Sequence, residues 1–211
     1  MSVSSPVIIR NEEDVQGALQ KIGLTREVVE KIAFSAAAAR ADTLPVDPSN
    51  APGQLSYIYG VRAVRLSLLK EGWRVCRAGN VESTVNDKLG VRLCFQNVDA
   101  ACNPFKNPHA ISGKGNASRN LVAAGQGELF VNEEGLVGKP VIGSNPTVWV
   151  ICVAVDDAHI RAEVSCPESF EGAQFENFHQ RIFVVDQELT PITQKHDLEI
   201  EEEFDVAVSK K

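Results

Sequence analysis

The chain lacks any apolar run long enough to cross a bilayer: its longest, around Trp149 and Phe183, fall far short of the roughly 20 residues that a spanning helix needs. Met1 to Arg10 is short and polar, without the charged start and apolar stretch of a secretory leader, so the protein is expected in the cytosol with no membrane partner. Cysteine is scarce and unpaired. Cys76, Cys94, Cys102, Cys152 and Cys166 form an odd set with no close pair, which fits free, mostly buried thiols in a reducing compartment better than disulfides or a metal knuckle. The four histidines (His109, His159, His179, His196) have no ligand partner at helical spacing, so neither a metal site nor a cofactor is expected. Asp156, Asp157 and His159 carry cation-ligating atoms, but between two apolar strands an Asp-Asp-Ala-His sequence reads first as a hairpin turn. No Ser or Cys occupies a strand–turn–helix elbow and no carboxylate pair stands out, so the sequence offers no catalytic motif.

What is present is an ordinary folding composition. With 211 residues, 44% hydrophobic and 23% charged, the chain has enough apolar material for one core. Its charge is uneven. Residues 57–120 carry ten bases against four acids, +6, in a chain whose net charge is -7, which leaves -13 for the rest. Such asymmetry points to an anion-facing region unless the bases pair with acids of the flanks.

Asn11 opens an acidic turn, and Val15, Ala18, Leu19 and Ile22 recur at helical spacing until Gly23. Thr25 caps a second helix through Val29, Ile32 and Ala33 to about Arg40, making a helical hairpin over residues 1–42. The spacing also matches a helix-turn-helix DNA reader, but Glu27, Glu30 and a row of alanines stand where a groove reader needs basic or amide side chains. Three prolines mark residues 43–56 as a connector. An α+β body of residues 57–211 is expected to follow. It starts with an amphipathic helix, Tyr57, Val61, Val64 and Leu68, with Ile58 and Leu69 beside them, on its apolar face and Arg62, Arg65 and Lys70 elsewhere, ending at Gly72. Trp73–Cys76, Val81–Val85 and Val91–Phe95 read as a meander, Val148–Val155 and Ile160–Ser165 as a hairpin, and Arg181–Val185 as a further strand. In the hairpin's second strand Ile160, Ala162 and Val164 alternate with Arg161, Glu163 and Ser165, as in a half-buried strand. Phe170, Phe175 and Phe178, in a polar stretch of no clear period, either cover the core or mark a contact. Near the end, Leu198, Ile200, Phe204, Val206 and Val208 share one parity, interrupted by Glu202, and predict an edge strand in place of a free tail. The fold class is thus α+β, a helical hairpin plus a mainly antiparallel sheet packed with a central helix.

Residues 96–118 run long without period, which makes them the first place to look for a site. At their end, Ser112-Gly113-Lys114-Gly115-Asn116-Ala117-Ser118-Arg119 combines backbone-freeing glycines, two cations and a helix start, the chemistry of a phosphate cradle, although it matches neither a Walker loop nor a dinucleotide fingerprint. Small Gly/Ser/Asn/Lys segments also form plain turns.

The Asp47-Pro48 connector, the Val61-Arg62-Ala63-Val64-Arg65 helix ending in Glu71-Gly72-Trp73-Arg74, Thr84-Val85-Asn86, Lys114-Gly115 with Ser118 and Asn120, and Arg161-Ala162-Glu163-Val164-Ser165-Cys166-Pro167 together resemble, over residues 47–185, a set of uncharacterised bacterial and mobile-element (phage or plasmid) proteins. The resemblance implies no activity; by association it implies a part in bacteria–phage conflict.

The expected function is therefore a non-catalytic binding protein for an anion, a nucleotide or nucleic-acid phosphate, held by Arg62, Arg65, Lys106, His109, Lys114, Ser118 and Arg119. The alternative is an inhibitor or adaptor that binds another protein, a host protein in the phage setting, through its acidic surface.

Overall fold

The computed structural model describes residues 5–77, 81–112, 116–126, 145–156, 158–171 and 174–189. Its helices are α1 (Glu12–Lys21), α2 (Arg26–Ala41), α3 (Ala51–Leu68) and α4 (Asn116–Gln126); its strands are β1 (Val7–Ile9), β2 (Arg74–Cys76), β3 (Ser83–Asn86), β4 (Val91–Asn97), β5 (Thr147–Val155), β6 (His159–Glu171) and β7 (Gln174–Glu188). Among the described residues they form one sheet in the order β1-β7-β6-β5-β4-β3-β2. The fold is α+β, and the sheet is mixed. β2–β3–β4 and β5–β6–β7 are antiparallel, as the meander and hairpin signals require, but β4 pairs with β5 in parallel and β1 with β7 in parallel. A parallel neighbour needs a crossover, and the chain between β4 and β5 supplies one that includes α4.

Alternation along the central strands divides the molecule into layers. Leu93, Phe95, Trp149, Ile151 and Val153 point to the face covered by α1, α2 and α3, in one core with Leu19, Ile32 and Val64. Val148, Val150 and Cys152 point to the other face, toward Val122 of α4, with Phe175 and Phe178. Those two phenylalanines therefore cover the core. Their segment is strand, not irregular chain, and its period is hidden by two register shifts, at Ala162/Glu163 and Cys166/Pro167. Pro167 sits at the second, where a residue without an N–H is tolerated.

Local chemistry explains the helix ends. Thr25 Oγ1 accepts the Val28 N–H at 3.3 Å, and Gly23, at φ +73, turns the chain out of α1 in the left-handed region that glycine enters without cost. α3 begins inside the proline-bearing stretch, with proline in its first turn, where the missing N–H is not needed; it ends at Leu68, before Gly72. No helix among the described residues is long and apolar enough to cross a membrane.

Candidate functional site

Residues 97–111 form an ordered, closed loop. Ile111 N–H donates to Asn97 O (3.1 Å), Asp99 N–H to His109 O (3.0 Å), and Val98 bridges Ala110; Gln174 clamps Ala110 through both its N–H and C=O. Inside the loop Asp99 gathers two of the predicted ligands. Lys106 Nζ lies 2.8 Å from its carboxylate and His109 Nδ1 3.8 Å. Burial pushes the Asp99 carboxyl up, but Lys106 and the His109 N–H outweigh it and hold the group below the usual carboxylate range. Two of the predicted anion ligands thus serve an internal acid.

The other predicted ligands do not meet them. Arg65 is ion-paired with Glu82, which Arg77 also approaches at 3.3 Å. Arg62 lies over the Tyr59 ring, 4.4 Å from its centroid. Ser118 is buried and lines a void of about 20 Å³ with Tyr57, Glu82 and Gln96, room for about one water. Arg119 is exposed on α4, across the sheet from α3, and Lys114 lies outside the described residues. The structure brings Lys106 and His109 together on Asp99 and leaves Arg62 and Arg119 on opposite layers. Among the described residues no group of three or more His, Cys, Asp and Glu is placed to hold a metal.

The same loop buries a polar cluster that alternation alone does not foretell. Glu163 and Arg181 are fully buried and form a bidentate pair, Nε to Oε1 at 2.8 Å and Nη2 to Oε2 at 2.7 Å. Ser165 Oγ donates to Oε1 (2.7 Å), Cys102 N–H to Oε2 (2.6 Å), and Arg181 Nη1 to Asn103 O (3.0 Å). Cys102 stands at φ +55, an uncommon conformation for a residue with a side chain, and its thiol donates to Ala162 O and Val185 O, both at 3.2 Å, where the β6–β7 register shifts. Burial, with Glu163 nearby, pushes that thiol up to about 12. It is a hydrogen-bond donor and not a thiolate nucleophile.

Beside this cluster, along β7, opens a cleft of about 320 Å³ lined by Arg10, Arg26, Cys102, Pro104, Phe183, Val184, Val185 and Asp186. Arg26 Nη1 donates to Val184 O at 2.6 Å and lies 3.7 Å from Glu30; Arg161 holds Asp186 at 3.1 Å. Arg10 and Arg26 lie outside the basic segment 57–120, so charge counting along the chain passes over them.

The second unassigned feature is the outward side of α3. Its inward side, Gly60, Val61, Ala63, Val64 and Leu68, is buried, which meets the expectation for Val61, Val64 and Leu68; Ile58 and Leu69, expected beside them, are exposed instead, because the helical rotation carries them to the outer side. At 100° per residue, Leu55, Ile58, Tyr59, Arg62, Leu66 and Leu69 fall in a second sector about 100° wide, and of these Ile58, Tyr59, Leu66 (71%) and Leu69 are exposed. The helix is apolar on two sides, with Arg62 in the middle of the outer one. A second apolar stripe was available in the sequence, but an i, i+3, i+4 pattern does not say which stripe meets the sheet.

Comparison of the chain with known protein families, with curated proteins and with solved structures returned no match.

Proposed function

We propose that the chain is a non-catalytic binding protein that docks another protein on the outward face of α3. The observation that carries this reading is the exposure of Ile58, Tyr59, Leu66 and Leu69 around Arg62 on a helix whose opposite face is already buried. A contiguous apolar patch of this kind is a cost in water and is typical of interfaces, and aromatic residues and arginine recur where binding energy concentrates. The arrangement also says something about the partner. Leu55 and Leu69, and Ile58 and Leu66, lie symmetrically in sequence about Arg62, so an antiparallel pairing of two copies centred there would set two guanidinium groups together. A different protein, presenting apolar side chains around a carboxylate, fits better. In the phage or plasmid setting that the resemblance suggests, it would be a host protein.

Leu66→Glu and Arg62→Glu, each tested separately, are expected to leave the melting temperature within a degree or two of wild type, because exposed substitutions change stability by no more than about 0.5 kcal/mol. Each is expected to weaken partner binding at least about thirtyfold, as hot-spot losses of about 2 kcal/mol do. Titration of partner recovered by the wild-type chain checks this; equal binding by all three proteins overturns the reading. A dimer in sedimentation that Leu66→Glu dissociates would instead make a second copy the occupant.

The anion reading has its own observation, the cleft with Arg10 and Arg26. Its volume falls within the range of small-ligand sites, and Phe183 offers an aromatic wall for the planar part of a nucleotide. Saturable binding of a nucleotide that Arg10→Ala abolishes would support it.

A further inference from the structure

The loop of residues 97–111 carries Phe105, the most exposed large apolar side chain among the described residues, at 98%. The turn beneath it is held firmly. Phe105 N–H donates to Asn103 Oδ1 (2.9 Å), and Asn103 O accepts from Arg181 Nη1 at 3.0 Å, so the buried Glu163–Arg181 pair anchors the turn that presents the ring. Cys102, at φ +55 with its N–H on Glu163, fixes the chain just before it. Backbone held in an uncommon conformation points to a role for the segment it shapes, and a ring fixed in advance loses little entropy when it is bound.

Its neighbour in the chain, Pro104, lines the cleft of about 320 Å³ with Phe183, Arg10 and Arg26. Much of the polar lining is already matched: Val184 O accepts from Arg26 Nη1, Val185 O from the Cys102 thiol, and Asp186 is paired with Arg161. An aromatic ring suits such walls. It packs on another ring and takes a guanidinium by its face, leaving the N–H edges to the partners they have. Phe183 is itself backed by the Arg181 guanidinium, 5.0 Å from its centroid. The exposure of Phe105 shows that it does not enter the cleft of its own chain.

Ring and cleft therefore lie side by side. A two-fold axis beside Pro104 sets each ring opposite the cleft of a second copy, and such an isologous contact closes at two copies. We propose that the chain forms a dimer in which Phe105 of each copy enters the cleft of the other, against Pro104, Phe183 and the faces of Arg10 and Arg26. The proposal is independent of the α3 surface and gives the cleft an occupant other than a nucleotide. The edge strand expected from residues 198–208 lies outside the described residues and has no part in it.

Sedimentation of the full chain over a range of concentrations tests it. A reversible dimer is expected with a dissociation constant of about 1–100 µM, as a small contact allows. Phe105→Ser is expected to weaken it at least about thirtyfold and to leave the melting temperature unchanged, because the side chain is exposed. Leu66→Glu, on α3, should leave the dimer intact. A photo-crosslinking residue at position 105, in a mixture of heavy- and light-isotope chains, should join the two kinds through Arg10, Pro104 or Phe183. A chain still monomeric at about 500 µM, a dimer indifferent to Phe105→Ser, or crosslinks that stay within one chain or fall outside the cleft overturn the proposal.

Discussion

Glu163 and Arg181 show what a single residue's surroundings decide. A buried ion pair must recover a large desolvation cost, and here every carboxylate oxygen is used: Arg181, Ser165 and the Cys102 N–H between them supply four hydrogen bonds. Glu163→Gln or Arg181→Met leaves the other member buried without its charge partner, so each is expected to cost about 3–5 kcal/mol in urea denaturation, with the pair Glu163→Leu/Arg181→Met costing less than the two added together. A single-variant loss under about 1 kcal/mol would show that water reaches the cluster. Glu163 and Ser165 belong to the polar parity of β6, and alternation in the sequence assigns that parity to solvent. It is buried because the loop of residues 97–111 closes over it, a long-range contact on which local periodicity carries no information. The same holds for the predicted anion ligands: their side-chain chemistry was legible, but not that Asp99 and Glu82 would take Lys106, His109 and Arg65.

Among elements, α3 carries most of the account. Its inner side fits the sheet so closely that a methyl at Gly60 would overlap the Phe95 ring. Gly60→Ala gains about 1 kcal/mol of helix propensity, but overpacking costs about 1–3 kcal/mol, and a net loss of up to about 2 kcal/mol is expected in thermal melting. A stabilised variant would mean that Phe95 moves freely. The α1–Gly23–α2 boundaries were legible because caps and glycine stops act locally. β7 was legible only around Arg181–Val185, since two register shifts break its period and Pro167 disguises its partner.

At the scale of the whole molecule, the parallel contact between β4 and β5 joins strands separated by about 50 residues, beyond the reach of any turn signal, which is why the sheet reads as mainly antiparallel from sequence while its parallel pairings are visible only in the structure. Its ion pairs also set a pH window. Arg65 holds Glu82, and Arg74 holds Asp87, below the usual carboxylate range; the Ala158 and His159 N–H groups do the same for Asp156. Carboxyls depressed in the folded state stabilise it above their unfolded values, and that contribution is lost as pH falls through the folded ones. Cys102, pushed up to about 12 from 9.0, acts on the other limb, its contribution present below pH 9 and lost as pH rises toward 12. Melting temperature is therefore expected to be flat from about pH 5 to 8 and to fall on both sides; a maximum below pH 4 would contradict these pairings.

The claim on which the functional account turns is that the outer side of α3 is covered by another protein. A photo-crosslinking amino acid at position 66, with a matched control at exposed Lys31 on α2, measures it in cells that make the protein. The account predicts one discrete adduct at position 66, absent at position 31 and lost when Arg62→Glu is added. No adduct, or the same adducts at both positions with and without Arg62→Glu, would contradict it.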